Sequence, residues 1–111
     1  MQAKIVIERH VQPGSEAQSL DILVEMRALA TRQTGYISGE TLIDVSDHST
    51  MIVVSTWRSV QDWKRWEGHS DRIRLEDMLT PLMASSPIVH ICADAGEMRV
   101  EGEGASSHLL V

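Results

Sequence analysis

The 111-residue chain contains no phenylalanine, one tyrosine and one cysteine, so its aromatic bulk rests on three tryptophans and no internal disulfide can form. A basic start followed by an apolar run and a cleavage site is missing from the N-terminal residues, and no apolar stretch is long enough for a membrane segment. With a single cysteine, these absences point to the cytoplasm and to no membrane partner. Extended basic runs are missing too. The net charge is −6 and the sequence pI is near 5.2, which argues against nucleic acid, because that binding draws its affinity from Lys and Arg neutralising phosphates. No internal repeat or low-complexity block interrupts the chain. Hydrophobic residues make up 42% and charged residues 23%, proportions that suit one globular domain with a core to bury.

The hydrophobic pattern lays out that domain. Lys4 to Val11 alternates as a strand, with Ile5, Ile7 and Val11 on one side. Pro13-Gly14 ends it, and Ser15 with Gln18 three residues on predicts a capping box opening a helix. Leu20, Leu23, Met26 and Ala30, joined by Ile22 and Leu29, continue that helix towards Gly35. Tyr36 to Val45 and Thr50 to Trp57 read as a hairpin about Ser46-Asp47-His48-Ser49. Ser59 with Asp62 starts a second helix bearing Val60, Trp63 and Trp66. Gly68 interrupts it, and Ser70 to Met83 resumes with Ile73, Met78, Leu79, Leu82 and Met83 as the apolar set. Ile88 to Ala93 forms a last strand, in which Cys92 is expected to be buried. Residues 1–94 are the expected domain, and 95–111 a tail in which Leu109, Leu110 and Val111 form a small anchor.

The order βαββαβ predicts an α+β, ferredoxin-like antiparallel sheet with helices on one face. Met51 and Val53 point to one side of the third strand while Ile52 and Val54 point to the other. Both sheet faces therefore need cover, and the helices cover one, so a second copy is expected to pack on the other as a twofold homodimer.

The element order, the Gly35-Tyr36 start of the second strand, the Thr56-Trp57-Arg58-Ser59 exit of the third, and Trp66 followed closely by His69 resemble the antibiotic biosynthesis monooxygenase family. The resemblance covers residues 1 to 94 and implies the dimeric α+β barrel. It also implies an enzyme that oxidises a small phenolic or quinol-like aromatic with dioxygen and no cofactor or metal. On this reading a bound substrate is deprotonated and its anion passes an electron to dioxygen. Trp66, His69 and Arg72 are then the catalytic candidates, His69 as base and Arg72 as anion stabiliser, with Trp63, Trp57 and Arg9 as substrate-binding candidates.

Two other readings stay open. In the haem-degrading branch of the family, Trp66 matches, but the first strand has Glu8-Arg9-His10 in place of an Asn, and Glu76 or its neighbours stand where the iron-ligating His falls. A non-catalytic ligand-binding dimer would fill the interior with Leu, Met and Trp. Residue by residue, Trp57, Trp63 and Trp66 also read as ordinary core, and His69 as a capping or solvent-facing residue. His10 and His90 are expected as cross-strand neighbours, without a third ligand for a metal.

Overall fold

A computed structural model of the chain describes residues 1–98. Four strands form one antiparallel sheet in the order β2-β3-β1-β4, with β1 Ala3–His10, β2 Tyr36–Asp44, β3 Asp47–Trp57 and β4 Ile88–Cys92. Helices α1 Glu16–Ala30, α2 Val60–Glu67 and α3 Ser70–Leu79 follow β1 and β3, and a 3-10 turn, Thr80–Leu82, closes α3. The α+β ferredoxin-like arrangement is the expected one.

Alternation along the two central strands sorts the side chains. Ala3, Ile5, Ile7 and Arg9 of β1 stand opposite Trp57, Ser55, Val53 and Met51 of β3, and this face meets the helices. Ile22, Leu23, Met26 and Ala30 of α1, Trp63 and Trp66 of α2, and Leu75 and Leu79 of α3 complete the buried core. On the outer face Val6 opposes Val54 and Glu8 opposes Ile52, with Leu42 of β2 and Ile88 of β4 flanking them.

Local chemistry sets the boundaries. Gly35 has φ +87°, the left-handed region that glycine enters at little cost, and turns the chain into β2. Ser59 caps α2 as expected: its Oγ accepts the Asp62 N–H at 3.1 Å and donates to Asp62 Oδ2 at 2.9 Å. Gly68 ends that helix, and His69 caps α3 by accepting the Asp71 N–H on Nδ1 at 3.1 Å.

Five expectations are corrected. The Ser15–Gln18 capping box does not form: Ser15 sits at ψ 7°, off the extended conformation that aims a cap oxygen, and Glu16 Oε1 accepts the Gly14 N–H instead. The hairpin tip is Val45-Ser46, not the 46–49 tetrapeptide, because the Asp44 carboxylate takes the Ser46 N–H and tightens the turn. The break at Gly68–His69 resets the helical phase, so α3 buries Arg72, Leu75 and Leu79, while Ile73 and Met78 are exposed. Cys92 is exposed, since β4 is an edge strand paired only with β1. His90 opposes Val6 and His10 opposes Thr50, about 13 Å apart along the strand, so the two imidazoles are not neighbours. The Leu109 to Val111 anchor lies outside the described residues.

Candidate functional site

Between the helices and the inner sheet face lies a cavity of about 40 Å³, little more than the share of liquid volume one water occupies. Trp57, Trp63 and Trp66 wall it. Ile7, Val53 and Ser55 of the sheet and Leu23, Met26 and Ala30 of α1 supply most of the rest. The tryptophans are fixed by their neighbours. Trp57 stacks edge-on with Tyr36 at 5.2 Å and with Trp63 at 6.0 Å, and its indole N–H donates to Ser55 Oγ at 3.0 Å. The indole N–H of Trp63 is different: it is buried and has no acceptor among the described residues.

The charged lining is wholly cationic. Arg9, Arg27 and Arg72 line the cavity, and no carboxylate or imidazole of the described residues does. Arg9 is 2% exposed. It stands at the inward β1 position after Ile5 and Ile7, where alternation demands a core residue, and it is held there by an ion pair to Glu76 Oε1. Arg72 reaches the same oxygen at 3.3 Å and lies with its guanidinium carbon 5.0 Å from the Trp63 ring centre. Burial pulls the Arg72 pKa below its ordinary value and Arg9 adds to that fall, while Glu76 and Glu67 oppose it. Arg27 donates to the Gly39 carbonyl at 2.9 Å and to Thr41 Oγ1.

Of the residues expected at a site, Arg9, Trp57, Trp63, Trp66 and Arg72 converge on this one cavity. His69 is not part of the lining. Its ring packs on Trp66 at 5.4 Å while Nδ1 serves the α3 cap. Arg27 and Tyr36 line the cavity without having been singled out from the sequence. A signal for Arg27 existed: it interrupts the buried α1 series Leu23, Met26, Ala30 with a charge. Glu76, in the stretch where the haem-degrading pattern was expected to place an iron-ligating His, has its carboxylate taken by two guanidinium groups. The lining offers neither an imidazole nor a thiolate, so these residues do not fit haem ligation. Among the described residues no group of three or more His, Cys, Asp or Glu side chains could hold a metal ion.

The arrangement suits one kind of chemistry. Aromatic walls exclude water, and buried guanidinium groups stabilise negative charge on whatever the walls enclose.

Comparison with known proteins places this geometry. The sequence model of one family, described as antibiotic biosynthesis monooxygenase, matches residues 3–73. No curated protein matches the sequence. Among solved structures, a conserved protein from Methanosarcina mazei superposes with a TM-score of 0.79 at 9% identity, covering 83% of this chain and 91% of that one. Rv0793 from Mycobacterium tuberculosis gives 0.78 at 12% identity, covering 84% and 94%. SnoaB, a cofactor-independent oxygenase from Streptomyces nogalater, gives 0.72 at 15% identity, covering 92% and 98%. At these identities the likeness is one of fold.

Proposed function

The chain belongs to the antibiotic biosynthesis monooxygenase family, and on that premise we propose that it oxidises a small phenolic or quinol-like aromatic with dioxygen, using no cofactor. The observation that carries this reading is a tryptophan-walled cavity whose charged lining is arginine, two of the three buried. Similarity of fold to SnoaB, described as a cofactor-independent oxygenase, supports the cofactor-free form.

We assign the roles by position. Trp57, Trp63 and Trp66 enclose the ring and keep water from the anion. Arg72 and Arg9 lower the energy of the phenolate once its proton leaves. His69, packed on the far side of Trp66 from the lining, takes that proton when side-chain movement opens the cavity towards it. The electron-rich anion then passes an electron to dioxygen. Overall, one oxygen atom enters the substrate and the other leaves as water, with the substrate the only reductant: a quinol plus dioxygen gives a hydroxyquinone plus water. The cavity is too small for a substrate ring as it stands, so entry requires side chains such as Met26 or Trp66 to turn.

We also propose a twofold homodimer through the outer sheet face, where Val6, Ile52 and Val54 are only partly covered and Leu42 and Ile88 are exposed at 45% and 46%. Sedimentation as a single subunit at micromolar concentration would remove that assembly. The cytoplasm is the proposed compartment. Among the described residues, no helix is long and apolar enough to cross a membrane.

The deciding experiment incubates purified protein with a panel of dihydroxynaphthalenes and anthrones, and separately with haem, following oxygen uptake and spectra. Oxygen uptake with at least one aromatic and no Soret band from haem are expected. Absence of turnover across the panel would sink the enzyme reading, and a Soret band would revive the haem one.

A further inference from the structure

We propose that the substrate carries a carboxylate beside its oxidisable ring, and that the Arg9–Arg72 pair binds it. The inference rests on the cavity described above being the substrate site.

Charge counting comes first. Three guanidinium groups line the cavity and no carboxylate does. Glu76, just beyond the lining, offers Oε1 to both Arg9 and Arg72, so one negative charge is shared between two cations. The acceptors of Arg27 are a carbonyl and a hydroxyl, both neutral. Glu67 adds a weaker attraction at Arg72, and the lining as a whole keeps an excess of positive charge at a largely buried site. Buried charge is costly unless paired, and the arrangement is complementary to an anionic ligand.

Donor counting points the same way. A guanidinium has five N–H donors in a planar fork, and two such forks flanking one carboxylate oxygen leave donors for another acceptor group.

The kind of anion follows from ionisation. A phenol with a pKa near 10 is neutral when it arrives at neutral pH, and becomes an anion only as the reaction begins. A carboxylate is charged throughout, compensates the arginines in the ground state, and presents two oxygens to two guanidinium groups. Phenolate stabilisation during the reaction then falls to whichever guanidinium the carboxylate leaves less engaged, Arg27 included.

The test is equilibrium binding under argon, by calorimetry, of 2,5-dihydroxybenzoate, its neutral amide and hydroquinone. The wild-type protein is expected to bind the acid about tenfold or more tightly over both neutral compounds. Arg72→Gln should abolish that preference, and Arg72→Lys, which keeps the charge but not the fork, should retain part of it. Urea melts establish that each variant is folded, and the wild-type comparison stands without them. Equal binding of acid and amide overturns the proposal, as does a preference undiminished in Arg72→Gln or failure of all three compounds to bind. Oxygen uptake on neutral quinols without acid preference would leave the oxygenase reading intact and remove this one. Selective acid binding with no oxygen uptake would do the reverse.

Discussion

The guanidinium carbon of Arg72 lies 5.0 Å from the centre of the Trp63 ring, a cation over an aromatic face with both residues buried. That contact orients Arg72 at the cavity wall and offsets part of the cost of burying its charge. Desolvated contacts of this kind reach about 2 kcal/mol and exposed ones less than half of that. A double-mutant cycle on Trp63→Leu and Arg72→Met, read by urea melts, is expected to give a coupling energy of about 1 kcal/mol. A coupling indistinguishable from zero would mean that packing alone positions Arg72.

Glu76 carries more of the local stability than its place near the surface suggests. Its side chain is 24% exposed, yet it neutralises Arg9, which is 2% exposed. Breaking a buried pair from one side leaves an uncompensated charge, at a cost of about 3 kcal/mol even with partial solvent access. Glu76→Gln should therefore lower stability by roughly that amount, whereas Arg9→Met combined with Glu76→Met should recover only part of it, because Arg72 loses the same oxygen. If the double substitution were as unstable as the single one, the ion pair would not be the cause.

Gly35 and Asp62 fix the approach of β2 to α2. A Cβ on Gly35 would fall 2.3 Å from Asp62 Cγ, and φ at Gly35 is +87°. Asp62 cannot easily withdraw, because its carboxylate accepts from Ser59 Oγ at 2.9 Å and Arg65 Nη1 at 2.8 Å. Gly35→Ala should cost about 2–4 kcal/mol, part clash and part backbone strain. Adding Asp62→Ala relieves only the clash, so full recovery in the double variant would contradict the strain argument.

What could be read from the residues was whatever local chemistry decides. The Ser59–Asp62 cap, the Gly35 turn and the βαββαβ order all follow from short-range patterns, and the structure reproduces them. What could not be read depends on partners distant in sequence. Arg9 breaks the apolar alternation of β1, but its burial makes sense only with Glu76, 67 residues away. Arg27 enters the cavity because the Gly39 carbonyl and Thr41, on another element, hold it there. The helical phase of α3 hinges on where the chain restarts after Gly68, so Leu75 was missed and Ile73 and Met78 were placed inside. Cys92 and its strand looked like core because their composition is apolar, whereas edge position decides their exposure.

The hairpin should be sensitive to acid. Asp44 and Asp47 both titrate below their ordinary value of 3.8, first because Ser46 and Ser49 hydroxyls, respectively, donate to the ionised forms. Depressed folded-state pKa values give stabilisation that is present above pH 3.8 and lost as the pH falls through the lower folded values. Stability measured by urea melts should therefore fall on going below that pH. In the Asp44→Asn, Asp47→Asn double variant this part of the fall should vanish. An unchanged acid limb in that variant would place the sensitivity elsewhere.

Trp66 separates a working cavity from a merely packed interior. It is 3% exposed and walls the cavity on one side while His69 packs on it at 5.4 Å, so its substitution sets the proposed chemical role against a purely structural one. Trp66→Phe keeps an aromatic wall and removes the outer ring with its N–H. Loss of that much packing should cost about 1–2 kcal/mol of stability. If Trp66 shapes the substrate pose and the path to His69, kcat/KM should drop by about 100-fold, a larger free-energy change than the stability loss. Urea melts and oxygen-uptake kinetics on the same preparation make the comparison. Losses of equal size, or a drop in activity that follows only the unfolded fraction, would assign Trp66 to the core alone.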